Sequence, residues 1–154
     1  MILRKTGLAG AGQIEVAARR LIRLAACMDV PLHIIEPCGF PFDDKKLRRV
    51  AMDYYDHATI VRHISWQAFL GFAHGGNPKR VVLLTTQTPT PYTQFTYQPE
   101  DILLLRRESS GVPEAVKSSA DARVTIPMSK TVRSLNVALA ASMVLGEALR
   151  QTRA

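Results

Sequence analysis

The sequence predicts an α/β fold, a mostly parallel sheet flanked by helices. Short runs dense in Val, Ile and Leu, such as "KRVVLLTT" at 79–86, recur along the chain and are too short to be helices. Between them lie stretches with apolar residues at helical spacing, such as "IEVAARRLIRLAACM" at 14–28. Strands alternating with helices pair in parallel, because a helical crossover returns the chain to the same end of the sheet. Neither an internal repeat nor a low-complexity tract breaks the alternation, so residues 1–154 are expected to form a single domain.

The elements follow in order. The opening "MILRK" offers at most a short strand before "GLAGAG" at 7–12. Those glycines are spaced G-x-x-G-x-G, not the G-x-G-x-x-G of a dinucleotide turn, and the acid nearest the expected place about 20 residues on, Asp29, is on the wrong side of a long helix. A flexible loop is the reading. After helix 14–28, "PLHIIEP" (31–37) reads as a buried strand between prolines, and "DDKKLRRVAMDYY" (43–55) as one helix running from acids to bases. "ATIVRH" (58–63) is a strand and "SWQAFLGFA" (65–73) a short helix with Ser65 as its N-cap. Strand 79–86 leads through the Pro- and Thr-rich "QTPTPYTQFTYQP" to strand 101–105. A short helix after Pro113, strand "RVTIPM" (123–128) and a long helix from about Leu135 to Gln151 complete the chain.

Composition narrows the function. Twenty basic against thirteen acidic residues give a net charge of +7. That balance suits a polyanion such as nucleic acid, through release of its counterions, but suits a basic protein with no such partner equally well. The basic residues Arg23, Lys45, Lys46, Arg48 and Arg49 cluster in two of the expected helices, where they serve either RNA or solvent. The longest apolar runs, such as Val137 to Leu145, fall short of the roughly 20 residues of a membrane span. The first residues do not resemble a signal peptide, and a cytoplasmic protein is expected. Cys27 and Cys38 lack C-x-x-C spacing, and Cys27, in an apolar helical run, reads as a buried inert thiol. His33, His57, His63 and His74 are scattered without an H-x-x-x-H pair, so no metal site is expected.

Two stretches carry chemistry. In "LLLRRESSGVP" (103–113) a buried strand ends on two arginines and a turn, at the end of an open sheet where ligands bind. In "VTIPMSKTVRSLNVALAASM" (124–143) a strand end leads through a polar loop to a helix start. There Ser134 or Asn136 can cap the helix and also face a ligand. The small residues Ala138, Ala140, Ala141 and Gly146 suggest a face for close helix packing in a homodimer.

Together "HIIEPCGFPFDDKKLRR", "MDYYDH", "LLTT", "RESSGVP", "IPM" and "RSLNVALAASM" make the chain similar to the SPOUT class of RNA methyltransferases. Within that class it most resembles the small bacterial tRNA 2′-O-methyltransferases of the wobble nucleotide. The resemblance spans about residues 21–150, and residues 1–20 are atypical. It implies a C-terminal trefoil knot, S-adenosyl-L-methionine as cofactor, the tRNA anticodon stem-loop as partner, and a homodimer with its site across the interface. The cofactor would be held around Leu84, at 106–111 with Arg106, Glu108 and Gly111, and around Ile126, Met128, Ser134 and Leu135. Arg23 matches the arginine of the first motif, and Ser134 and Asn136 the third; these three are the implied catalytic residues. A guanidinium is a poor general base, so Arg23 would hold a phosphate or stabilise a developing alkoxide.

This chain departs from the pattern twice. Ala17-Ala18-Arg19 stands where the family has Asn-Thr-Gly, and Arg106 stands where it has glycine. If that glycine has positive φ, Arg106 is strained there by roughly 1–3 kcal/mol. The departures leave open an alternative: a degenerate knotted homodimer that binds RNA with little methyl transfer.

Overall fold

A computed structural model of the chain describes residues 2–4, 11–36, 44–106, 114–129, 131 and 135–153. In chain order the elements are β1 (Ile2–Arg4), α1 (Ala11–Met28), β2 (Leu32–Ile35), α2 (Asp44–Ala51), α3 (Tyr54–His57), β3 (Ile60–His63), α4 (Trp66–His74), β4 (Val81–Leu84), β5 (Ile102–Arg106), α5 (Glu114–Ser118), β6 (Ala122–Val124) and α6 (Val137–Thr152). The strands form one sheet in the order β3-β2-β1-β5-β4-β6, and every pairing is parallel. From β1 the chain works outward to β3, then crosses to build the other half. The direction of winding therefore reverses between β1 and β5, the place where open α/β sheets bind ligands at their carboxyl ends.

Strand alternation sorts the core into two faces. Leu32, Ile34 and Leu105 face α1 and α6, where they meet Ala18, Leu21, Ile22, Ala25, Ala138 and Ala141. The next residues along, Ile35, Leu83, Ile102 and Leu104, face α4 and pack on Trp66, Phe69 and Ala73. Both faces are covered, which is why these strands read as continuous apolar runs. Helix α1 buries positions 18, 21, 22 and 25, the i, i+3, i+4, i+7 stripe of an amphipathic helix.

Four expectations change. The helix expected over 43–55 is two helices, because Met52 turns left-handed (φ 52°) directly after α2. The strand expected over 123–128 pairs only to Val124, and Thr125 continues as a single bridge to Pro91. Cys27 is exposed, since it falls off the 18-21-22-25 stripe that faces the core. Finally, Ala138, Ala140 and Ala141 are buried in the chain's own core rather than presented to a partner. The exposed apolar residues of that region are Leu135, just before the helix, and Leu139 and Met143, one helical turn apart.

The short β1 is the central strand, between β2 and β5. Three residues are too few to show a period, so the sequence hinted at this strand without placing it. Of "GLAGAG", Ala11 and Gly12 belong to α1 and the rest lies outside the described residues.

Candidate functional site

The carboxyl ends of β4 and β6 bring three of the expected cofactor residues, Leu84, Ile126 and Met128, into one cluster. Leu84 ends β4 and is register-paired with Val124 of β6. Beyond β6, Thr125 is held by its amide on the Thr90 carbonyl (2.9 Å) and by the Tyr92 amide on its own carbonyl (2.8 Å). That pinning sets the course of the next residues. Ile126 is buried and Met128 half-buried, and both pack with Leu84 in the cluster that includes Val124, Ala140 and Val144. Leu84, Ile126 and Met128 thus form an apolar wall where β4 and β6 end.

Helix α6 starts beside that wall. Its N-cap is Asn136, whose Oδ1 accepts from the Ala138 amide at 2.9 Å, while its carbonyl accepts from Ala140 at 2.9 Å. Of the two capping candidates, Asn136 is the one observed in that role; Ser134 lies outside the described residues. Leu135 is exposed just before the cap. Glu108 and Gly111, with Arg107 and Pro113, also lie outside the described residues.

Arg106 closes β5 in the extended conformation, register-paired with Arg4 at the end of β1. Among the described residues the non-glycines with positive φ are Asp29 and Met52, so the expected strain at Arg106 is not present. The backbone is relaxed. What remains distinctive is cationic residues at one register position of the two strands that flank the winding reversal.

Arg23 is exposed on α1, with its guanidinium 4.7 Å from the ring centre of Tyr54 on α3. The structure therefore ties Arg23 to "MDYYDH", a partnership that spacing alone does not reveal. Ala17 and Ala18 continue α1 without interruption, and Ala18 is fully buried.

Sequence reasoning also missed a buried histidine pair. His33 Nδ1 and His63 Nε2 are 2.9 Å apart, their rings stacked at 5.2 Å and flanked by Phe72. Burial, with His63 and Lys79 nearby, lowers the His33 pKa from 6.5 to about 4; burial also lowers that of His63. Both imidazoles are neutral at pH 7. Among the described residues no three His, Cys, Asp or Glu side chains converge as a metal-binding group.

The chain is similar to known proteins over most of its length. The model of the SpoU rRNA methylase family matches residues 20–146. A protein of Beijerinckia indica named tRNA (cytidine(34)-2′-O)-methyltransferase is 55% identical over 134 residues, covering 87% of this chain and 83% of that protein. A solved structure described as giving insight into the 2-OH methylation of C/U34 on tRNA superposes with a TM-score of 0.82 at 33% identity, covering 97% of this chain and 93% of that one. The SpoU methyltransferase AviRb of Streptomyces viridochromogenes, solved with AdoMet, shares the fold with a TM-score of 0.77 at 24% identity, over 97% of this chain and 58% of its own.

Proposed function

Because the chain belongs to the SpoU rRNA methylase family, we propose that it is an S-adenosylmethionine-dependent methyltransferase of the ribose 2′-hydroxyl at the wobble nucleotide of tRNA. The observation that carries this reading is the likeness to a cytidine(34) enzyme, 55% identical over 87% of the chain. The C-terminal region is read as the trefoil knot, the chain as one domain, the protein as cytoplasmic and the active unit as a homodimer.

S-adenosylmethionine, when bound, supplies a methyl group activated on a sulfonium sulfur. The residues present suit it: Leu84, Ile126 and Met128 offer an apolar wall at the strand ends, beside the start of a sixteen-residue helix. Glu108, Gly111 and Ser134 are assigned to the same pocket by resemblance, with Arg106 and Leu135 at its rim. The chain's own task is alignment, because an in-line displacement needs oxygen, carbon and sulfur collinear and close. Asn136 fixes the start of α6 and with it the course of the chain at Leu135. Arg23 holds a phosphate beside the 2′-hydroxyl or steadies negative charge developing on its oxygen. Its placement on Tyr54 supports that role, since a guanidinium stacked on a ring is held in plane while its N–H edges stay available.

The homodimer reading draws on Leu139 and Met143, exposed one turn apart on α6, with Leu135 exposed just before its cap. Such a stripe is costly in water and is buried by a two-fold partner.

The test is direct. The protein is incubated with S-adenosylmethionine and tRNA transcripts, and nucleotide 34 is analysed by mass spectrometry after digestion. A gain of one methyl on its ribose is the expected result. Tight tRNA binding with no methyl transfer would instead establish the degenerate homodimer.

A further inference from the structure

The corner made by α2, Met52 and α3 carries surface chemistry that packing does not require. Lys45, Arg48 and Arg49 follow the i, i+3, i+4 spacing of one helix face, Met52 comes directly after the helix, and all four are exposed. Three cations alone describe an ordinary solvated helix. Met52 does not fit that description. It is 67% exposed and sits at φ 52°, a conformation that helix ends usually assign to glycine or asparagine. A methionine there gains little from burial and is disfavoured by its backbone. The same backbone turn starts α3, with the Tyr55 amide on the Met52 carbonyl (3.3 Å).

Next to Met52 stand Tyr54 and Tyr55, both half-buried, each with a guanidinium against its ring: Arg23 on Tyr54 and Arg48 at 5.2 Å on Tyr55. Arg48 also pairs with Asp56 at 3.1 Å, with both side chains 62% exposed. An exposed pair of this kind contributes little, so its guanidinium can exchange a carboxylate for a phosphate at small loss. Asp44 opens α2, and Asp53 and Asp56 are the acids on the α3 side; beyond its first residue α2 carries only cations among its charged residues. Cations spaced along a helix beside a soft apolar group and ring edges match single-stranded RNA, which offers phosphates together with unstacked bases.

We propose that this α2–α3 corner is a second RNA-contact surface, distinct from the strand-end wall. It takes the tRNA backbone on Lys45, Arg48 and Arg49 and an unstacked loop base on Met52. The proposal rests on the reading of the chain as a tRNA methyltransferase and adds where the substrate is gripped away from the reacting ribose.

Binding of labelled tRNA to the full chain, followed by fluorescence anisotropy across a salt series, tests it with two variants. Lys45→Gln/Arg49→Gln should weaken binding about tenfold at 0.1 M salt and lower the slope of log Kd against log salt by about one to two. Met52→Gly should weaken binding about threefold or more while its Tm stays level or rises, because glycine suits the left-handed turn. In both variants S-adenosylmethionine affinity, by calorimetry, should be unchanged. Unaltered tRNA affinity and salt slope, with methyl transfer intact, would show a solvated helix face and leave the methyltransferase reading standing. A change in molar mass by light scattering, without loss of RNA affinity, would assign the corner to a second copy of the chain and also overturn the proposal. If the unmodified protein binds no tRNA, this inference and the reading beneath it fall together.

Discussion

Arg106 is where sequence and structure pull furthest apart. Resemblance marks it as an arginine in a glycine's place, and strain is the natural concern. The structure removes the strain, since the residue is extended within β5 and paired with Arg4. Charge is left: residues of like sign at one register position disfavour a further cation nearby, and the proposed cofactor carries a sulfonium. Arg106→Gly should therefore tighten S-adenosylmethionine binding by about three- to tenfold, at most about 1.4 kcal/mol. Calorimetric dissociation constants for the two proteins decide the matter; equal values would mean that the side chain stays clear of the pocket. Asn136 is the second residue with a definite role. Asn136→Ala removes the bond to the Ala138 amide and should lower stability by about 1 kcal/mol in urea denaturation. Cofactor affinity should fall with it, because the same cap orients the segment that bears Leu135.

At the scale of elements, α6 shows how a helix serves two masters. One face, through Ala138, Ala141, Val144, Leu145 and Ala148, closes the core over the sheet. The other presents Leu139 and Met143 to the outside, 60% and 41% exposed. The three alanines that pattern reading assigned to a partner, Ala138, Ala140 and Ala141, are kept by the chain for itself, because alanines let the helix lie close to the strands; Gly146 of the same set is exposed. The outward apolar stripe is the surface that the proposed homodimer would cover. Leu139→Glu/Met143→Glu should shift the protein from dimer to monomer in light scattering at micromolar concentration, with the helical circular dichroism of the monomer retained. A dimer that survives both charges would place the interface elsewhere.

For the molecule as a whole, the histidine pair couples stability to pH. His33 is a base whose folded pKa, about 4, lies below its unfolded value of 6.5. Between those values the unfolded chain binds more protons, so stability falls as pH drops from about 6.5 to about 4 and is level below that. The full loss from His33 is up to about 3 kcal/mol, at roughly 1.4 kcal/mol per pH unit. His63, also lowered by burial, adds in the same direction. Urea midpoints measured from pH 7.5 to pH 4 should show the decline. His33→Phe/His63→Phe should flatten it, and an equally steep decline in that variant would assign the acid sensitivity to other groups.

What the sequence determined by itself was the content of the layers. Apolar runs and helical stripes place nearly every element within a few residues, because one-sided and two-sided burial leave different periods in the chain. The Ser65 cap, with its Oγ accepting from Ala68, was equally plain, since capping is a matter of three neighbouring residues. The wall residues Leu84, Ile126 and Met128 followed from resemblance, and their meeting at one end of the sheet follows from parallel pairing. Only tertiary structure decided the rest. The centrality of β1 depends on neighbours thirty and a hundred residues away. The break at Met52 is a single backbone rotation that periodicity does not register. Which face of α6 is core, and that His33 meets His63 across two strands, are set by packing between segments distant in sequence. A one-dimensional pattern reports that a side chain wants cover, while the partner that covers it is fixed by the fold.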